Sequence, residues 1–137
     1  MLGGTGCHLN LFGPPTGPGP VLTVTVPAEP VTAGQPSHWT FSWTKGAGAP
    51  YKLSVTVYEY TDPPSRGPAV ANWEQKDISA RRIEHDFVLP NSGITPRRYQ
   101  LDAYLADCIE FATGFMGSGY YGGADSEYIS FMVMPVP

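Results

Sequence analysis

The fold is decided by residues 37–44, which read SHWTFSWT. Aromatic side chains occupy every second position of the inner part of this stretch, at Trp39, Phe41 and Trp43. Successive side chains of a β-strand point to opposite faces of a sheet, so the spacing predicts a strand with one aromatic face. Because each large aromatic side chain buries about 150–250 Å², we expect these three residues to lie at the centre of the core.

The same period of two recurs from Val21 onward, and turn residues interrupt it at short intervals. The other predicted strands are residues 21–26, 51–60, 69–75, 82–89, 98–107 and 127–134. Residues 31–33 can rejoin a sheet at its edge after the breaks at Pro27 and Pro30. Seven short strands without a capped helix are typical of two packed antiparallel sheets.

Three local features resemble an immunoglobulin-like domain of the bacterial and phage type. The turn at residues 33–36, AGQP, resembles the turn between strands A and B, and Tyr99 resembles the corner tyrosine of strand F, two residues before a core position. The last strand runs to the C-terminus, as strand G does. The resemblance implies a seven-stranded immunoglobulin-like antiparallel β-sandwich over residues 21–137. Many unrelated functions share this sandwich, so the resemblance supports a fold and not an activity.

Residues 1–20 are expected to form an extended N-terminal arm. They hold six glycines, four prolines and no charged side chain. Ordering twenty residues costs on the order of 20–40 kcal/mol of backbone entropy, and six apolar side chains at about 1.5–3 kcal/mol each do not offset that cost. The arm must therefore be held by the protein's own body or by another chain. Its strand-like part is predicted to add to the sheet edge of a partner; this part consists of His8, Leu9, Asn10, Leu11 and Phe12.

The connection between the last two predicted strands is the second candidate contact. Aromatic residues stand among glycines from residue 108 to residue 126. Unstructured connections longer than ~12–15 residues are usually functional or disordered, and binding loops favour aromatic and small residues. An extended hairpin is the alternative. The residues expected to contact a partner protein are Phe115, Met116, Tyr120 and Tyr121.

Composition and motifs exclude several classes of function. The net charge of −4 argues against a nucleic-acid partner, and no apolar run approaches the ~18 residues of a membrane helix. His85 and Asp86 are neighbours on a predicted strand, so they point to opposite faces and do not pair. Residues 117–122 match a dinucleotide fingerprint but lack the βαβ unit that it requires. We expect no catalytic residue, no metal site and no cofactor.

Acidic residues near the last two strands leave one alternative open. Calcium takes several carboxylate and carbonyl oxygens, but no EF-hand or repeat spacing is present. Solvation of a loop base is therefore the expected role of Asp102, Asp107, Glu110, Asp125 and Glu127.

The expected function is that of a non-enzymatic structural protein in a large assembly. The proposed class is a phage virion accessory protein, such as a capsid decoration or cement subunit or a head or tail component, whose partners are other subunits of the same or another kind. With no signal peptide in its sequence, the chain is expected to be made in the host cytoplasm and incorporated into the virion. The alternative is a carbohydrate-binding or adhesin module of a bacterial cell surface, with Trp73, Tyr120 and Tyr121 as a stacking platform.

Overall fold

The computed structural model describes residues 19–44, 50–61, 65–107 and 124–137. Within these residues the chain forms eight β-strands and no helix. The strands are β1 (Leu22–Thr25), β2 (Val31–Thr32), β3 (Pro36–Trp43), β4 (Tyr51–Thr61), β5 (Ser65–Ile78), β6 (Arg82–Val88), β7 (Arg97–Ala106) and β8 (Ala124–Met134).

The strands form two sheets. One has three strands in the order β1-β3-β6, and the other has five in the order β2-β8-β7-β4-β5. Neighbouring strands are antiparallel, except that β2 runs parallel to β8. The prediction of an all-β chain with two sheets is confirmed. The predicted number of seven strands is wrong for the described residues, because the short edge segment after Pro30 forms a strand of its own, β2.

The first two strands belong to different sheets, and prolines cause the change. β1 pairs with β3, and the strand is interrupted between Pro27 and Pro30. β2 then pairs with β8 in the other sheet. Proline cannot donate to a ladder, so the chain leaves the first sheet there. The turn that follows needs Gly34, whose φ of 80° is one that other residues rarely adopt; its N–H donates to the carbonyl of Leu89 at 3.0 Å.

Two strands are longer than the sequence predicts. β5 begins at Ser65 and ends at Ile78, although the pattern indicates only residues 69–75. It lies at the edge of its sheet, where Pro68 interrupts no second ladder. β8 begins at Ala124 and not at Glu127, because it pairs with β7 as far as Ala106.

The aromatic face of β3 forms the centre of the core, as predicted. Trp39 and Phe41 have no exposed surface, and Trp43 is 6 % exposed. The ring of Trp39 meets Phe131 of the opposite sheet edge to face, with centroids 4.9 Å apart. The opposite layer consists of fully buried side chains, among them Leu53, Val55, Val57, Leu101 and Leu105.

The polar groups beside Trp39 in the core are paired. The indole N–H of Trp39 donates to the hydroxyl of Ser37 at 2.9 Å, and that hydroxyl donates to the carbonyl of Phe87 at 3.0 Å. Burying an unpaired polar group costs free energy, so this short chain of hydrogen bonds is what allows a tryptophan at the centre of the sandwich.

One buried tyrosine ties β7 to the segment before it. The hydroxyl of Tyr99 donates to the backbone carbonyl of Pro90, nine residues upstream. Tyr99 is 1 % exposed, and burial raises the pKa of its phenol, so the hydroxyl keeps the proton that it donates.

We predict that Tyr99→Phe destabilises the protein by about 1–2 kcal/mol, since it removes this hydrogen bond and leaves a partly buried carbonyl without its donor. Urea unfolding followed by tryptophan fluorescence measures the change. The matched control is Tyr128→Phe on the solvent side of β8, where the side chain is 61 % exposed; it is expected to change the free energy of unfolding by less than about 0.5 kcal/mol. Equal effects of the two substitutions would contradict the role assigned to Tyr99.

Candidate functional site

One end of the sandwich holds the attachment points of both segments that the sequence singles out. β1 starts there, because Leu22 is the register partner of Trp43 at the end of β3. β7 ends and β8 starts there as well, with Ala106 opposite Ala124. We call this end, at Leu22, Trp43, Tyr51, Ala106 and Ala124, the arm end of the sandwich. Residues 1–20 and the connection between β7 and β8 both leave the sheets at the arm end.

A carboxylate and two aromatic rings close the arm end. Asp125 accepts from the backbone N–H of Leu22 at 2.7 Å and from that of Ser126 at 3.0 Å, so it links β1 to β8. The ring of Trp43 packs edge to face on Tyr51, with centroids 5.5 Å apart. The indole N–H of Trp43 is buried and has no hydrogen-bond partner among the described residues.

The predicted contact residues themselves lie outside the described residues. This holds for His8, Leu9, Asn10, Leu11 and Phe12 of the arm and for Phe115, Met116, Tyr120 and Tyr121 of the connection. Their contacts with partners stay predictions. What the described residues establish is that both segments start from one end of the fold.

The outer side of the five-stranded sheet carries an aromatic surface that the sequence analysis did not single out. Tyr128 is 61 % exposed, Met132 46 % and Tyr104 41 %. Arg98 lies beside these aromatic residues, and its guanidinium carbon is 5.6 Å from the centroid of the Tyr60 ring. We call this surface, formed by Tyr58, Tyr60, Tyr104, Tyr128 and Met132, the tyrosine face. Alternation places each residue outward, but only strand register gathers residues from β4, β7 and β8 on one surface.

The three-stranded sheet carries a charged cluster on its outer side. His38 Nδ1 lies 2.6 Å from Asp86 Oδ1, and its Nε2 lies 2.5 Å from Glu84 Oε1. Arg82 adds an ion pair with Glu84 at 3.3 Å. The hydrogen bonds to Asp86 and then Glu84 raise the pKa of His38. When the imidazole is protonated, both ring nitrogens can donate to these carboxylates.

His85 occupies a different environment. Its ring stacks on Trp73 with centroids 4.0 Å apart and an interplanar angle of 12°, and Phe87 meets it edge to face at 4.7 Å. Burial lowers the pKa of His85. The neighbouring Asp86 points to the other face, toward His38, so these sequence neighbours form no catalytic pair.

The described acidic residues do not form a metal centre. No group of three or more His, Cys, Asp or Glu side chains is placed to hold a metal ion in the described part of the chain. Asp125 is hydrogen bonded to the backbone of β1 and β8, while Glu110 lies outside the described residues.

The described ranges contain no helix that is long and apolar enough to cross a membrane.

No protein-family model matches this chain, and no curated protein matches it. Its function is therefore inferred from the geometry of its sheets and surfaces.

We predict that the two described histidines titrate on opposite sides of 6.5, the ordinary pKa of histidine, with His38 above it and His85 below it. Two-dimensional NMR of the imidazole protons across the pH range measures both, with His38→Gln and His85→Gln assigning the signals. The stability from the protonated His38 is fully present below pH 6.5 and is lost as the pH rises through its folded pKa. The stability from the neutral His85 is present above pH 6.5 and is lost as the pH falls toward its folded pKa. Titration of both rings on the same side of 6.5 would contradict this assignment.

Proposed function

We propose that this chain is a non-enzymatic structural protein of a large assembly, held to neighbouring subunits through residues 1–20. The assembly class that we propose is a phage virion, in which the chain serves as an accessory protein such as a capsid decoration or cement subunit or a head or tail component. The observation that carries the proposal is the arm end, where the arm and the β7–β8 connection leave the sandwich side by side.

The strand order supports an immunoglobulin-like version of the sandwich. β1 and β2 divide one leading segment between the two sheets, and the last strand pairs with β7 in the larger one. The hydrogen bond from Tyr99 to Pro90 has the form of a tyrosine corner, in which a tyrosine near the start of strand F donates to backbone a few residues upstream. Such domains hold their variable contact loops at one end of the sandwich, which is where the β7–β8 connection starts here.

The surface chemistry also favours contacts between proteins. The tyrosine face presents ring area from four tyrosines, and aromatic residues are enriched where proteins meet. Both described histidines are committed to contacts within the chain, His38 to two carboxylates and His85 to Trp73. An interaction protein needs a large contact area, which the described surface offers, and it needs no reactive group.

The sugar-binding alternative has less support. Its platform included Trp73, but that ring is only partly exposed and stacks on His85 in the space between the sheets. A platform for a sugar ring needs an aromatic face open to solvent, and one face of Trp73 is already covered.

We predict that removal of residues 1–20 leaves the sandwich folded and abolishes its incorporation into the assembly. Among the described residues the buried core begins at Leu22, so we expect the truncated chain to retain its circular dichroism spectrum and cooperative unfolding. Co-sedimentation of wild-type and truncated chains with assembled particles measures incorporation. The matched control carries a scrambled sequence of the same twenty residues, which keeps length and composition. Normal incorporation of the truncated chain would overturn the anchoring role of the arm.

A second test addresses the β7–β8 connection. Replacing Tyr120 and Tyr121 with serine is expected to weaken incorporation about tenfold or more without lowering the melting temperature, because aromatic rings at interfaces are frequent hot spots. The same co-sedimentation assay measures the effect, and Ile94→Ser, at a side chain that is 92 % exposed between β6 and β7, serves as the control for loss of an exposed apolar side chain elsewhere. Unchanged incorporation would assign the connection no role in contact.

A further inference from the structure

We propose that the open edge of β8, at Tyr128, Ser130 and Met132, accepts residues 8–12 of a second copy of this chain as an added β-strand. The inference rests on the proposed function, since it identifies the surface that holds the arm. In this mode of recognition main-chain hydrogen bonds supply affinity and alternate side chains fill pockets.

The strand register shows which backbone groups of β8 face the edge. Alternate residues of an edge strand direct their N–H and C=O groups toward the paired neighbour and away from it. The backbone N–H and C=O groups of Met134 face away from β7, because its carbonyl accepts a hydrogen bond from the N–H of Ala33 in β2's continuation at 2.9 Å. The pairing of β7 with β8 has no register shift. Counting back in steps of two, the backbone groups of Met132, Ser130, Tyr128 and Ser126 also face away from β7.

The open part of this edge is bounded on both sides. β2 covers its C-terminal end, where Val31 and Thr32 pair with Val133 and Met134. At its N-terminal end the side chain of Asp125 takes the N–H of Ser126. Between these points no described strand pairs with β8 on this side. The open stretch, residues 127–132, is about 20 Å long, which is long enough for the five residues 8–12.

An apolar seam runs beside the open edge. The inward side chains Ile129 and Phe131 of β8 are only half-buried, whereas Val133 on the same face, next to β2, is fully buried. On the facing side, Val24 of β1 is half-buried, and Val26, just after β1, is 47 % exposed. The apolar side chains of this seam are more exposed where β8 has no described neighbouring strand than where it pairs with β2. An added strand that places Leu9 and Leu11 on its inner side would supply that cover.

The course of the chain favours the arm of a second copy over the chain's own arm. β1 starts beside the start of β8, through the Leu22–Asp125 hydrogen bond, and β2 runs parallel to the end of β8. The leading segment thus runs in the same direction as β8, and the residues before Leu22 leave beyond the arm end. Residues 13–20 hold four prolines and three glycines, and residues 8–12 of the same copy would have to reverse direction within this segment to reach the edge of β8.

The test uses the full chain with Ser130→Pro, and with Ser130→Ala as the matched control. The N–H of Ser130 faces away from β7, so proline removes a donor from the open edge and none from the ladder. Sedimentation velocity over a concentration series measures self-association. We expect the wild type and Ser130→Ala to associate alike, and Ser130→Pro to associate about tenfold or more weakly. Equal association of all three, or a wild type that stays monomeric, would overturn the inference.

A second measurement keeps the test decisive if Ser130→Pro unfolds. The photoreactive residue p-benzoylphenylalanine replaces Asn10 in the otherwise unchanged chain, and nitrogen-15-labelled and unlabelled copies are mixed before irradiation. A cross-link between differently labelled copies at residues 126–132 of β8 supports the inference. Cross-links within one copy, or at another surface, overturn it.

The two proposals fail in different ways. If Ser130→Pro associates normally and removal of residues 1–20 still abolishes incorporation, the arm binds elsewhere and only the acceptor edge is wrong. If the truncated chain incorporates normally, the anchoring function itself is wrong.

Discussion

The structure depends on the burial of the aromatic face of β3 between the two sheets. β3 is the middle strand of its sheet, and its three rings reach three different strands of the other one: Trp39 meets Phe131, Phe41 lies 6.0 Å from Trp73, and Trp43 packs on Tyr51. Each such side chain removes a large apolar area from water. One strand therefore fixes the spacing of the layers and holds β4, β5 and β8 against the smaller sheet.

The two open sides of the sandwich are closed by different means. On the side of β5 and β6, the stacked rings of Trp73 and His85 cover the gap. On the side of β1 and β8, the carboxylate of Asp125 accepts hydrogen bonds from the backbone N–H groups of Leu22 and Ser126 at one end. At the other end, β2 pairs with β8. Half-buried apolar side chains of β8 lie between them, and no described strand pairs with this part of its edge. Unpaired strand edges are where sheets accept further strands, which is why we propose that the added strand binds on this side.

The two described histidines make their contacts within the chain. His38 is held by two carboxylates on the outer side of the small sheet, and His85 is stacked between the sheets. Two adjacent strands, β3 and β6, thus place one histidine in water and the other in an aromatic environment, with opposite effects on their pKa values. The tyrosine face adds contact area on the other sheet. The contacts that we propose with other proteins use sheet edges and surfaces.

The sequence by itself determined the fold class, the aromatic core at Trp39, Phe41 and Trp43, and the position of most strands, because alternation is a local property of the chain. It also marked residues 8–12 and the β7–β8 connection as candidate contacts through composition. Only the tertiary structure decided that β2 joins β8, that His38 meets Glu84 and Asp86, and that one edge of β8 is left open. These features depend on register between residues about 45–100 positions apart, which is set by the packing of whole sheets and not by any local pattern.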